Sequence, residues 1–194
     1  MKITSFALSL LLFFSCATGK PDKKETPIKP LACGNVAGSD KHEAHFLTLQ
    51  SKLKHGHTEN LFFIRNFSRD AETIGKRYGI APEIIVAVGI LESRGGTSNI
   101  SRQARNLHGI KAGDGWRGLT FVCERGKVWR AWNSYPDAIA GFCEYIVERV
   151  PRFVGKNITP AEFAYAYGCN NPKEYAASLH IIITRYGLKT LFSV

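Results

Sequence analysis

The fold is decided by the stretch PEIIVAVGILES at residues 82–93, the most apolar segment beyond the N-terminal region. Its eight-residue apolar run, 84–91, is compatible with a buried strand or a buried helix. Pro82 suits the first turn of a helix, because the N–H that proline lacks has no intrahelical partner at that position. The turn-forming residues at 93–96 indicate where the segment ends. We therefore predict a buried helix.

Helical signals also dominate on both sides of this stretch. Before it, Ser68 is predicted to cap a helix that carries one apolar face and ends at Gly79. After it, serine, threonine and asparagine caps, each followed three residues later by an acid, predict further helices. These pairs are Ser134 with Asp137, Thr159 with Glu162, and Asn171 with Glu174. Gly187 is expected to end the last helix.

A different pattern lies between Gly109 and Trp132. Glycines punctuate this segment, and the β-favouring run LTFVC occupies residues 119–123. Two or three short strands in a hairpin lobe fit this pattern best. We therefore expect an α+β fold that is mostly helical, with one small β lobe.

Composition and charge limit the function classes. The chain has 194 residues, with 44% apolar and 22% charged residues, as in ordinary globular proteins. Its length allows one domain plus an extension. The net charge of +10 favours polyanions such as nucleic acid, anionic lipid or an acidic wall polymer. No nucleic-acid-binding motif, P-loop or dinucleotide fingerprint accompanies that charge, so we expect no nucleic-acid partner and no nucleotide chemistry.

The N-terminal segment predicts export. Lys2 precedes an apolar stretch over residues 3–14, which is too short to span a bilayer and reads as a signal sequence. The following Ser15 and Cys16 resemble a lipoprotein cleavage box, so we predict an acylated Cys16 and an envelope-anchored protein; an ordinary cleavage after Ala17 is the alternative. Residues 17–57 read as a flexible tether with a possible helix at 40–54, which leaves 58–194 as the folded domain.

The cysteines and histidines give no metal motif. Cys33, Cys123, Cys143 and Cys169 lack a CxxC pair, and disulfides or reduced thiols are equally compatible with an exported protein. The spacing of the histidines does not match the zinc protease motif, and His180 is expected to lie in the core. We predict no metal, no cofactor and a monomer.

Glu92 is the first candidate for catalysis. It follows the apolar run and lies at the predicted C-terminus of the helix, where unpaired carbonyls carry partial negative charge. The apolar neighbours and the negative end of the helix both disfavour the ionised carboxylate. Both therefore raise the pKa of Glu92, as a general acid requires. The alternative is a solvent-facing glutamate paired with Arg94.

The segments around Glu92 form a larger pattern. It comprises GIAP at 79–82, ILES at 90–93, NLHGIK at 106–111, WRG at 116–118, WRAW at 129–132 and the run from Tyr167 to Tyr175. Together they resemble the glucosaminidase domains of glycoside hydrolase family 73, over roughly residues 58–188. His108 stands where that family usually carries phenylalanine.

The resemblance implies a lysozyme-like, two-lobed domain that cleaves the glycan strands of peptidoglycan after N-acetylglucosamine. Glu92 matches the general acid, and Glu124 matches a second acid in the β lobe that would activate water. Alternatively, the substrate's acetamido group attacks with help from a tyrosine, which Tyr167 matches. A solvated turn position for Glu124 and a half-buried helix position for Tyr167 are the alternatives.

Substrate-binding residues are expected beside these groups. Aromatic rings suit the apolar faces of sugars, which points to Trp116, Trp132 and Tyr135, although Trp132 could equally be core. The resemblance adds Asn106 and Lys111. The function expected is an endo-β-N-acetylglucosaminidase; the alternatives are a lysozyme or lytic transglycosylase, or a non-catalytic wall-binding lipoprotein.

Overall fold

The computed structural model describes residues 40–53, 56–113, 115–123 and 126–193. Cys16, Cys33 and Glu124 lie outside these ranges. Within them the chain forms eight α-helices and one two-stranded sheet. The elements are α1 (Lys41–Lys52), α2 (Thr58–Tyr78), α3 (Pro82–Ser93), α4 (Asn99–Gln103), β1 (Thr120–Val122), β2 (Val128–Arg130), α5 (Tyr135–Arg149), α6 (Pro160–Tyr167), α7 (Pro172–Arg185) and α8 (Leu188–Phe192).

The buried helix predicted from the apolar run is α3, at the centre of the helical part. Its apolar side chains from Ile84 to Ile90 are each at most 3% exposed, and it packs against α2, α7 and α8. Burying each such side chain stabilises the fold by about 1.5–3 kcal/mol. At Gly89, an added Cβ would lie 2.5 Å from Cζ of Phe63, so the absent side chain allows α2 and α3 to pack closely.

The helix ends predicted from capping residues are mostly confirmed. The side chains of Ser134, Thr159 and Asn171 accept hydrogen bonds from the backbone N–H three residues later. Gly79 ends α2 in the left-handed conformation, with φ of 68°.

The prediction that Ser68 caps a helix is wrong. The helix α2 begins ten residues earlier, at Thr58, and its first half buries an apolar face that includes Leu61 and Ile64. Ser68 is itself buried, and its Oγ forms a hydrogen bond with Nδ1 of His42 at 2.8 Å. A serine can lie inside a helix when another element supplies a partner for its hydroxyl.

The helix expected at 40–54 corresponds to α1, and it packs on the folded domain. Phe46 and Leu49 belong to the main core. Ion pairs join Glu43 to Arg65 of α2 at 2.9 Å and Lys41 to Glu72 at 2.6 Å. The sequence suggested that the folded domain starts at residue 58. The folded part also includes α1, which precedes that residue.

The small β lobe is an antiparallel hairpin, as predicted. Phe121 pairs with Trp129 at its centre. Trp129 and Cys123 form a second small core with Ile100 and Ala104, beside the main helical core. This core joins the hairpin to α4.

Other sequence expectations have mixed outcomes. His180 is exposed on α7, so its assignment to the core is wrong; the apolar face of α7 is formed by Leu179 and Ile183 instead. Cys143 and Cys169 are free thiols. In the described part of the chain, no helix combines the length and apolar character needed to cross a membrane.

Candidate active site

Glu92 lies in the last turn of α3, and its carboxyl accepts a hydrogen bond from a residue distant in the sequence. The phenol of Tyr175 on α7 donates a hydrogen bond of 2.8 Å to Oε1 of Glu92. Burial raises the pKa of Glu92, and the hydrogen bond from Tyr175 works in the opposite direction. The direction agrees with the prediction from the apolar run, and it favours a carboxylic acid that keeps its proton nearer to neutral pH.

The loop that leads from α4 to the hairpin passes directly beside this carboxyl. Gly109 adopts a φ of +62°, and a Cβ added to it would lie 3.1 Å from Oε2 of Glu92. Glycine is favoured here for two reasons, the left-handed backbone and the close approach of the acid. Oε2, the oxygen not bonded to Tyr175, is the one that faces this glycine.

Asn106 fixes the shape of the same loop. Its amide donates to the carbonyls of Ile110 at 2.8 Å and Arg130 at 2.9 Å, and its Oδ1 accepts from the Ile110 N–H at 3.0 Å. The residue is only 1% exposed. The expectation that Asn106 binds substrate is therefore wrong, because both amide N–H donors already bond the backbone that joins the loop to β2.

The side chain of His108 is buried and connects the loop to the helical core. Its ring stacks on Phe142 with centroids 3.9 Å apart, and Nε2 lies 3.2 Å from the carbonyl of Ile85. Because that carbonyl can only accept, Nε2 carries the proton. Burial lowers the pKa of His108 to about 3, so the ring is neutral at physiological pH. It packs as an aromatic ring in the core.

Two tyrosines stand next to Glu92. Tyr167, predicted from the resemblance, donates a hydrogen bond of 3.3 Å to the carbonyl of His108. Its ring lies 6.1 Å from that of Tyr175, between centroids at a 29° angle. Burial, and then the charge of Glu92, raise the pKa of both phenols well above the usual value, so both are neutral donors at physiological pH.

Sequence reasoning missed the role of Tyr175. In the sequence, Tyr175 marks only the end of the segment that begins at Tyr167, and the resemblance assigns the assisting role to Tyr167. The useful signal was position: Tyr175 is the fourth residue after the Asn171 cap, in the first turn of α7, where a helix side chain can point towards a neighbouring site. Only the packing of α7 against α3 brings it to Glu92, 83 residues away.

Cys169 lies in the connection between α6 and α7, between the two tyrosines in sequence. It is half-buried. Burial, and then the charge of Glu92, raise the pKa of its thiol to about 11. A thiol with that pKa is almost entirely protonated at neutral pH.

The predicted aromatic residues form a pair near the hairpin. The rings of Trp116 and Trp132 lie 6.1 Å apart. Both side chains are half-buried. The guanidinium of Arg130 lies over Trp116 at 4.2 Å from the ring centroid and 5.4 Å from that of Tyr145, whose ring is 6.2 Å from that of Tyr167. A chain of contacts therefore runs from these tryptophans to the tyrosines beside Glu92.

The other predicted binding residues lie in different surroundings. Tyr135 is half-buried at the start of α5, and its ring packs 4.9 Å from that of Phe67. Lys111 is exposed and pairs with Trp129 through a backbone bridge. Glu124, the predicted second acid, falls in sequence between β1 and β2 and outside the described residues. Substrate binding by Lys111, Trp116, Trp132 and Tyr135 stays a prediction.

Within the described ranges, no three metal-ligating side chains come close enough together to hold an ion.

A mostly helical domain with one small hairpin, and with a half-buried carboxylic acid hydrogen-bonded to Tyr175 at the end of α3, has the lysozyme-like fold of a glycoside hydrolase. The family described as mannosyl-glycoprotein endo-β-N-acetylglucosaminidase matches residues 68–188 of this chain. The chain belongs to this glucosaminidase family, glycoside hydrolase family 73.

Solved structures share the fold. The catalytic domain of the autolysin Auto from Listeria monocytogenes is 18% identical, with 77% of this chain and 96% of that chain covered and a TM-score of 0.57. The glycoside hydrolase domain of Salmonella typhimurium FlgJ is 20% identical over 68% and 90%, with a TM-score of 0.58. A peptidoglycan hydrolase from Sphingomonas sp. A1 is 26% identical over 66% and 90%, with a TM-score of 0.54. No curated protein matches the chain significantly.

Proposed function

We propose that this protein hydrolyses peptidoglycan, cutting β-1,4 bonds of the glycan strand after N-acetylglucosamine with Glu92 as the general acid. The observation that carries the proposal is the half-buried carboxyl of Glu92, with a raised pKa and a hydrogen bond of 2.8 Å from Tyr175. The similar Sphingomonas protein is named as a peptidoglycan hydrolase. The net charge of +10 also favours an anionic wall.

The geometry suggests which oxygen delivers the proton. Tyr175 donates to Oε1, and this acceptor role favours Oε2 as the oxygen that carries the acidic proton. Gly109 has no side chain that would cover Oε2. Glu92 would protonate the oxygen of the leaving sugar from Oε2, while Tyr175 stabilises the carboxylate that remains.

Two mechanisms are compatible with Glu92 as the acid, and they differ in the group that attacks the sugar. With Glu124 as a base, water attacks directly and the two carboxyl groups lie about 6.5–9.5 Å apart. With the substrate's acetamido group as nucleophile, Tyr167 would turn its phenol from the carbonyl of His108 to that group and orient it as a neutral donor. Glu124→Gln abolishes turnover only in the first mechanism, and Tyr167→Phe impairs it mainly in the second. NMR of the fresh product separates them, because direct attack inverts the anomeric configuration and neighbouring-group attack retains it.

The decisive experiment is digestion of purified wall followed by mass spectrometry of the fragments. We expect wild type to release reducing N-acetylglucosamine ends and Glu92→Gln to release none. Glu83→Gln is the matched control, because it makes the same chemical change at the other end of α3 and leaves the site intact.

Each rival function predicts a different outcome. Reducing muramic acid ends would identify a lysozyme, and anhydro-muramic ends a lytic transglycosylase. If wild type and Glu92→Gln release equal fragments, or if neither releases any, the enzyme proposal fails and a non-catalytic wall-binding protein remains.

We also propose that the protein is exported and held in the cell envelope by an acyl chain on Cys16. Because α1 packs on the domain, the linker comprises residues 17–39; about 23 flexible residues would reach about 25–30 Å, so the enzyme could act on wall near its membrane. Metabolic labelling with a radioactive or clickable fatty acid should mark the wild type and not Cys16→Ser. Wild type that carries no label and does not co-sediment with the membrane fraction would contradict the anchor.

A further inference from the structure

Two arginines contact one tyrosine ring near the active site. Arg130 of β2 lies 5.4 Å from the ring centroid of Tyr145, and Arg149, one helical turn after Tyr145 on α5, lies 4.8 Å from the same centroid. Arg130 also lies 4.2 Å from the ring centroid of Trp116. Two cations therefore contact one aromatic ring.

Neither guanidinium has an acidic partner in the described part of the chain. Four ion pairs between described residues join α1 and its cap, Asp40, to α2, and none of them involves Arg130 or Arg149. Nε of Arg130 is buried and has no hydrogen-bond partner among the described residues. Stacking on aromatic rings uses the face of a guanidinium and leaves the N–H donors at its edge available.

The arginine pair is connected to the catalytic group. The ring of Tyr145 lies 6.2 Å from that of Tyr167, which in turn lies 6.1 Å from that of Tyr175, the donor to Glu92. Burial raises the pKa of Tyr167 well above its usual value and the charge of Arg149 opposes this shift, so that charge acts at Tyr167. An anion bound by the arginines would lie beside the substrate.

We propose that Arg130 and Arg149, framed by Tyr145 and Trp116, bind a carboxylate carried by the wall glycan. This inference rests on the proposed peptidoglycan hydrolase function and adds a specificity site to it. Planar guanidinium groups match carboxylates through paired, charge-assisted hydrogen bonds. In peptidoglycan the carboxylate belongs either to the lactyl group of muramic acid, once its peptide is removed, or to the stem peptide itself.

The test compares substrates that differ only in charge. Soluble glycan strands are prepared with and without stem peptides, and half of each preparation is converted to neutral amides with methylamine and a carbodiimide. For wild type we expect kcat/KM to be about tenfold higher on the charged form, mainly through KM, as the loss of one charge-assisted contact predicts. Preference on peptide-free strands identifies the lactyl carboxylate, and preference confined to peptide-bearing strands identifies the stem peptide.

Variants connect the preference to the arginines. The double substitution Arg130→Gln/Arg149→Gln should lower the ratio of charged to neutral substrate to about one, while the double lysine variant retains part of it. Arg149→Gln alone keeps the test usable if the double variant fails to fold, because Arg149 is exposed. Arg152→Gln is the matched control, since Arg152 also stacks on an aromatic ring, at 5.4 Å, but that ring is Phe153 and not Tyr145.

The outcomes separate this inference from the proposed function. If wild type cleaves both forms equally, or the glutamine variants keep the full preference, the carboxylate site is refuted while the hydrolase proposal stands. If wild type cleaves none of the four substrates, both proposals fail together.

Discussion

Replacing Gly109 with alanine tests the close contact between the loop and the catalytic acid. The new Cβ would lie 3.1 Å from Oε2, 3.7 Å from Cβ and 3.8 Å from Cδ of Glu92. An ordinary van der Waals contact needs about 3.5 Å, so the carboxyl must move by ~0.4 Å. It cannot move freely, because Oε1 is bonded to Tyr175. A 1 Å misplacement can cost about 100-fold in rate, so we expect kcat to fall about tenfold.

The same substitution also strains the backbone. Gly109 has a φ of +62°, and a non-glycine residue in the left-handed region costs about 1–2 kcal/mol. Gly155→Ala isolates this cost, because Gly155 has a φ of +71° and open space where its Cβ would be. Urea denaturation should show similar destabilisation in both variants, whereas wall-clearing assays should show lost turnover only in Gly109→Ala. Equal activity of the two folded variants would refute the role assigned to the Gly109 contact.

Three further predictions concern protons. Tyr175→Phe removes a hydrogen bond that lowers the pKa of Glu92, so the alkaline limb of the kcat/KM profile should move to higher pH; an unmoved limb would contradict Glu92 as the titrating acid. Because burial raises the pKa of Glu92 above 4.5, its contribution to stability falls as pH rises through the folded-state value. Glu92→Gln should therefore raise Tm relative to wild type at pH 7 more than at pH 4, and a constant difference would contradict the shift. The pKa of His108 falls from 6.5 to about 3 on burial, so wild-type stability should decrease as pH drops below 6.5, by up to about 1.4 kcal/mol per unit. His108→Phe, which keeps an aromatic ring on Phe142, should remove that part of the slope in urea denaturation at pH 7, 6 and 5.

The amino-acid sequence by itself determined the features that depend on near neighbours. The apolar run before Glu92 predicted both a buried helix and an acid with a raised pKa, because burial follows from the side chains of α3 alone. The caps at Thr159 and Asn171 were equally local, since a cap bonds an N–H only three residues away. The glycine-punctuated hairpin followed for the same reason.

Only the tertiary structure decided which distant side chains meet. Tyr175 reaches Glu92 across 83 residues, and Asn106 bonds the backbone of Arg130 across 24 residues and so does not face substrate. Ser68 is predicted to be a helix cap from its local sequence, but in the structure it lies inside α2 and forms a hydrogen bond with His42 of α1. Spacing within a helix or strand sets which face a residue occupies, but the element that covers that face is chosen by packing of the whole chain.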